Sequence, residues 1–314
     1  MQELVAKFVP VADEVSRLQR DAEPDCRFFQ GFSEKGHYGG RTKPSNTRQG
    51  IYAVTATGEF LASVNTRAAG DVVKMLTGAL AKFDALPRAQ RTGDKPLFDA
   101  AQVKRFEALQ PDAGLVLQVF TRDLPRAKIT DGWRGEAWNQ DHAWLRQDEV
   151  ASCIPAASVG AEREMPTPIL QRLVRAHLLD NVRGQTFSHR VEDIESARLV
   201  LRTTAVTAAE LELRLEGAVR VDRRGSWATR GYGKPSPQRL GYDATLLGAA
   251  RVDRQTGAIT RFQLLAVGLR WGATEFNGRQ DDFGPAPMGV AFALAPQEAA
   301  CAAPSHPWVY DWKK

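Results

Sequence analysis

The stretch Ala209–Asp222, AELELRLEGAVRVD, decides the fold. Its odd positions Leu211, Leu213, Leu215, Gly217, Val219 and Val221 are apolar or small, whereas Glu210, Glu212, Arg214, Glu216, Arg220 and Asp222 are charged. Successive side chains in a strand point to opposite faces, so this alternation predicts a long antiparallel strand with one face on a core and the other in water. Ala197–Ala205 alternates in the same way, and Thr207–Ala209 can close a hairpin between the two. Downstream, Ala244–Val252 and Ile259–Trp271 make a second hairpin around Arg254-Gln255-Thr256-Gly257, and Met288–Leu294 adds a last strand. Five consecutive strands with short turns predict a meander, curved as a half-barrel or closed as a barrel. The helix it would pack on starts at Thr167-Pro168, a hydroxyl followed by proline in the first turn, and turns Ile169, Leu170, Leu173, Val174 and Leu178 to the core.

The first third of the chain reads differently. AKFVPVADEV offers a short strand at Phe8–Ala12, and QGIYAVTATGEFLASVNT offers two strands joined at Thr57-Gly58. From Asp71 to Leu86, Val72, Val73, Met75, Leu76, Ala79, Leu80, Phe83 and Leu86 recur at three- and four-residue spacings, the period of an amphipathic helix with Asp71 as cap or first-turn anion. This run over residues 1–86 resembles the second half of a thioredoxin-like domain. In that family a C-x-x-C motif precedes the first of these elements and a cis-proline precedes the hairpin. Here the chain begins after the place of the first, and Thr47-Arg48-Gln49-Gly50 stands at the place of the second. The resemblance implies a degenerate, non-redox member serving as scaffold or binding module, its start lying downstream of the redox motif.

The expected class is therefore α+β, with a thioredoxin-like α/β unit at 1–90 and a linker and connecting α/β segment at 91–165. An antiparallel β domain with a packing helix follows at 166–297, and a tail at 298–314. Within the connecting segment PRAQRTGDKP is polar and proline-bearing, Leu115–Phe120 is a buried strand, and Trp133, Trp138 and Trp144 recur among polar neighbours. A length of 314 residues suits two domains, and 43% apolar with 25% charged residues suits a globular chain.

Charge and cysteine usage narrow the function. The net charge is +5, yet acidic and basic residues interleave with no basic arm, which argues against nucleic acid. Cys26, Cys153 and Cys301 are odd in number and far apart, so neither a disulfide framework nor a redox pair is expected. The start MQELVAKFVPVADEV lacks a secretory pattern, and no apolar run reaches the roughly 18 residues of a membrane helix. A reducing, cytoplasmic location with no membrane partner is the expectation.

No complete catalytic or cofactor motif occurs, so catalytic residues, cofactor and oligomeric state are not assigned. The candidate site lies instead between two loops at strand ends, Arg223–Asp243 and Gly268–Pro287. There Trp227 and Trp271 would wall a small or extended ligand, Tyr232 would flank it, and Asn277, Arg279, Asp281 and Asp282 would anchor it. Two alternatives use other chemistry. Asp281 and Asp282 with a histidine brought in by folding, such as His37 or His189, could hold a hard cation for catalysis. Exposed Trp133, Trp138 and Trp144 could instead form a protein-interaction patch. Cys26 and His37 are a further pair to place as thiolate and base, set against a buried cysteine beside Phe28 and Phe29.

Overall fold

Apolar residues gather in separate cores within two units, Met1–Arg105 and Phe106–Lys314, of the computed structural model. It describes residues 1–13, 15–37, 47–66, 68–93, 110–111, 113–126, 132–231, 233–296 and 303–312. None of the described helices is long and apolar enough to cross a membrane.

The first unit carries helices α1 (Gln2–Val5), α2 (Val15–Arg20) and α3 (Pro24–Ser33), the hairpin β1 (Ile51–Val54) and β2 (Phe60–Val64), and helices α4 (Ala69–Ala85) and α5 (Arg88–Arg91). Gly58, at φ 88°, supplies the positive φ that turns the hairpin. Ala53, Leu61 and Ala79 are buried between hairpin and α4, with Phe8, Met75, Phe83 and Leu86 packed around them. The periodicity of residues 71–86 thus appears as α4, with Asp71 in its first turn. The strand expected at Phe8–Ala12 is a correction: no strand forms there, and Val9 and Val11 are 89% and 76% exposed. Apolar composition alone does not make a strand; Pro10 interrupts the run, and no neighbouring strand supplies a ladder.

In the second unit β3 (Gly114–Asp123), α6 (Trp133–Glu136), β4 (Trp138–Arg146), α7 (Gln147–Cys153), β5 (Glu162–Glu164) and α8 (Thr167–His177) precede five long strands. These are β6 (Ile194–Val206), β7 (Glu210–Trp227), β8 (Ser236–Asp253), β9 (Ile259–Trp271) and β10 (Ala286–Leu294). All eight strands form one sheet in the order β4-β3-β10-β9-β8-β7-β6-β5, and every pairing is antiparallel. The expected meander is present as β6 to β10. It is extended on one side by β5 and on the other by β3 and β4, all three from the segment expected to connect domains. Helix α8 touches both β6 and β4, six places apart in the order. Six spacings of about 4.8 Å would separate them by about 29 Å in a flat sheet. A helix about 16 Å long and 10–12 Å wide reaches both because the sheet curls over it. Its concave face carries Leu213, Leu215, Val219 and Val221 of β7 against Ile169, Leu170, Leu173 and Val174 of α8, all buried. Each such side chain contributes about 1.5–3 kcal/mol on burial.

The 303–312 segment covers the outer edge of β4. The Trp144 backbone N–H donates to the Tyr310 hydroxyl (3.0 Å), and that hydroxyl lies 2.7 Å from His177 Nε2. His177 Nδ1 faces Asp141 Oδ2 at 3.1 Å. The Tyr310 hydroxyl and the Asp141 carboxylate thus occupy both ring nitrogens of His177. Burial pushes the Asp141 carboxyl up, but the His177 hydrogen bond, with backbone hydrogen bonds from His142 and Ser305, outweighs it and holds Asp141 below the usual range. Arg172 lies over the rings of Tyr310 and Trp312 while pairing through both Nη atoms with Glu149 at 2.7 Å.

Replacing Tyr310 by Phe leaves the Trp144 N–H and His177 Nε2 without partners in a dry site. Urea unfolding is expected to show a loss of about 1–3 kcal/mol; an unchanged midpoint would mean that water takes the place of the hydroxyl.

Candidate functional site

Strand β9 ends at Trp271, and the polar run after it folds back into the protein rather than out into water. Asn277 and Arg279 are both 0% exposed. The Asn277 side-chain oxygen accepts from the backbone N–H of Thr274 (2.9 Å) and of Arg279 (3.3 Å), closing a turn that aims Arg279 inward. There the Arg279 guanidinium is shared between two carboxylates. Nε and Nη2 donate to Asp180 at 2.7 and 2.8 Å, and Nη1 and Nη2 donate to Asp123 at 2.8 and 2.7 Å. Asp123 closes β3 and Asp180 follows α8, so one side chain joins strand, helix and loop. The loop's approach to the segment after α8 also needs Gly184, where an added Cβ would lie 2.0 Å from the Phe276 carbonyl oxygen.

Asp282 sits among four guanidiniums: Arg126 (3.0 Å), Arg183 (3.0 Å), Arg270 (2.6 Å) and Arg279 (3.1 Å). Burial would raise its pKa, but hydrogen bonds from Arg126 and Arg270 and their charges drive it far below the carboxylate range. Burial is likewise outweighed at Asp123 by Arg279, with Arg183 and Arg270 adding to it. Asp281 points the other way, 61% exposed, toward Arg230 (3.3 Å) and Arg134 (3.5 Å). The two neighbouring carboxylates therefore diverge, and the surround of Asp282 repels a cation. Among the described residues no histidine is hydrogen-bonded to either; His177, His189 and His306 are buried with other partners.

The sheet separates the two tryptophans expected to share a pocket. Trp227 is on the concave side, its Nε1–H donating to the Ala273 carbonyl (2.8 Å) and its ring edge-on to Phe187. Trp271 is on the convex side, its Nε1–H donating to Asp222 Oδ1 (3.2 Å). The Arg223–Asp243 loop is shorter than expected, because β7 and β8 stay paired as far as Trp227 and Ser236. Tyr232 lies outside the described residues. Of the three other tryptophans, Trp144 is buried at 1% and Trp138 is 58% exposed; the Trp133 side chain is outside the described residues. Cys26 is fully buried beside Arg17, and burial pushes its thiol up to about 11, so it is not a thiolate at neutral pH.

Trp271 borders a groove of about 1130 Å³ on the convex face of β7, β8 and β9. Val267 and Leu269, each 48% exposed, form its floor, and Phe283 and Pro285 from the loop wall one end. The indole lies over Gly241, the residue directly opposite on β8, where a Cβ would stand 2.3 Å from the ring. Arg220, Arg224 and Arg239 rise along the other side. Asp222, with a side chain 3% exposed, accepts from Nε of Arg224 and of Arg239 and from Trp271. Burial pushes Asp222 up, but these hydrogen bonds reverse the shift and keep it ionised. Of the expected site residues that are described, Trp271 alone borders the groove. Asp222, Arg224 and Arg239 were missed; the signal available was the odd-numbered series Leu265, Val267, Leu269, Trp271, which places apolar side chains on the same face as a charged row of β7.

The depressed carboxylates Asp123 and Asp282 stabilise the second unit fully above their unfolded pKa, near 4, and lose that contribution as pH falls through their folded values. Acid unfolding is thus expected to begin below about pH 4. Asp282→Asn, which leaves the arginines without their central anion, is expected to cost about 3–5 kcal/mol at pH 7 and less at pH 3. Equal losses at both pH values in urea titrations would refute the assignment. Comparison of the chain with known protein families, curated proteins and solved structures finds no match.

Proposed function

We propose that the protein is a non-redox binding protein that takes a small or extended ligand into the convex groove beside Trp271. The observation that carries this reading is the pairing of a half-exposed apolar floor, Val267 and Leu269, with a half-buried indole that borders the groove, held by Asp222 and flanked by the guanidiniums of Arg220 and Arg239. Its volume of about 1130 Å³ is ample for a small molecule. The apolar surface continues past it to Leu265 and Leu247, 51% and 52% exposed and directly opposite each other on β9 and β8, which suits an extended ligand. Binding rather than acid–base chemistry is supported by the rim. Asp222 stays ionised, and guanidiniums do not release protons at neutral pH, so neither supplies a proton donor or acceptor matched to pH 7. In the same reading the first unit, thioredoxin-like in pattern and lacking the paired cysteines, is a scaffold or partner surface. Its carboxylates Asp13, Glu23 and Asp25 converge on Arg17, which suits an internal ion network.

The neutral fluorophore N-phenyl-1-naphthylamine tests the site. The native protein is expected to bind it saturably, with energy transfer from tryptophan. Leu269→Glu, at a position already half in water, is expected to weaken binding by about tenfold or more while leaving folding intact. Equal binding by the variant would place the fluorophore elsewhere and remove the groove as the site.

A further inference from the structure

Arg224 and Arg239 stand directly opposite each other on β7 and β8, and their side chains share the convex face. Like charges so placed repel and are disfavoured in a sheet unless something between them compensates. Asp222 compensates in part, and the way it does so is informative. It takes the Nε–H of each arginine, Oδ2 from Arg224 at 3.2 Å and Oδ1 from Arg239. No described residue takes a hydrogen bond from the Nη atoms of either guanidinium. Their side chains are 75% and 50% exposed, and both line the groove. Arg220, two ranks further along in the rank of Asp243 and Leu269, is by contrast held by two acids, Glu195 and Asp243. One buried carboxylate thus fixes two forks by their inner nitrogens, so the Arg224–Asp222–Arg239 trio carries one positive charge in excess, and the acids on Arg220 lie two ranks away.

Along β9 the residues that follow on this face are apolar, while β8 sets Asp243 opposite Leu269 and Thr245 opposite Val267. Next after the arginine pair comes Trp271 opposite Gly241, then Leu269, then Val267, then Leu265 opposite Leu247. From Trp271 to Leu265 the strand advances about 20 Å. Polar head and apolar track are therefore in line, and in that order.

Resting on the reading of the groove as the binding site, we propose that its ligand is an amphipathic anion. A single carboxylate or comparable oxyanion is gripped between Arg224 and Arg239, and an apolar body runs over Trp271 and along β9. Planar guanidinium edges match the two oxygens of such a head group better than a point charge does. The apolar track accounts for the body, since Leu247, Leu265, Val267 and Leu269 each remain about half exposed.

Displacement of N-phenyl-1-naphthylamine from the full chain separates the two readings. Dodecanoate, dodecanol and dodecylammonium share one tail and differ in the charge of the head. Dodecanoate is expected to displace the fluorophore at a concentration about tenfold lower than dodecanol, with dodecylammonium weakest. In Arg224→Gln/Arg239→Gln that preference is expected to shrink to near parity, each competitor being scored against the variant's own affinity for the fluorophore. If the fluorophore binds and Leu269→Glu weakens it, yet dodecanoate and dodecanol compete equally, the anion proposal is wrong and the groove stands. Should the double variant keep the full preference for dodecanoate, the head group lies elsewhere and the arginine pair is excluded. If the fluorophore fails to bind, or binds Leu269→Glu unchanged, the groove reading and the anion proposal fall together.

Discussion

One guanidinium, that of Arg279, ties three parts of the second unit to a single point. It donates to Asp123 and Asp180 in the same dry space, and each carboxylate belongs to a different element. An arginine buried with a single acid would leave several N–H groups unpaired, a cost of a few kcal/mol. With two acids and Asp282 behind them, all its donors are used, and the geometry tolerates little displacement. Buried ion clusters add less to stability than their number suggests, because desolvation consumes much of the attraction. Here the cluster fixes arrangement: the end of β3, the exit of α8 and the loop after β9 close on one point.

That arrangement sets the groove. The loop from Gly272 to Pro285 is anchored at its middle by Arg279 and near its end by Asp282, whose backbone oxygen accepts from Arg270. Phe283 and Pro285 follow directly and form the end wall. Trp271 precedes the loop and is pinned by Asp222 on the opposite side. An ion cluster on the concave side of the sheet thus positions an apolar wall on the convex side through a few residues of backbone.

Much of this was legible in the amino-acid order, and the illegible part has a common cause. Strict alternation at Ala209–Asp222, the proline-led start of α8 and the short turns after β6 and after β8 are local signals, and each appears in the structure. The placement of β3 and β4 was not local: residues 114–123 pair with 286–294, and no periodicity announces a partner that far away. The crowd of Asn277, Arg279, Asp281 and Asp282 read as ligand anchors in a loop, because polar residues in a row at a strand end usually face outward. What buries it is the presence of Asp123 and Asp180, both remote in the chain. Strand β9 was misleading in the other direction. LLAVGLRW has the density of a strand buried on both faces, yet its odd positions face water.

The cover over β4 has a consequence for synthesis. Tyr310 is made 166 residues after Trp144, the residue whose backbone it satisfies. At 5–20 residues per second a ribosome needs roughly 8–30 s for that interval, during which the edge of β4 has no lid. β3 waits as well, because its neighbour β10 is translated almost as late. An open ladder edge invites pairing with any extended chain nearby, including another nascent copy. The half of the sheet built first is therefore the half completed last, and its hazard is greatest in the polysome and least in the finished protein.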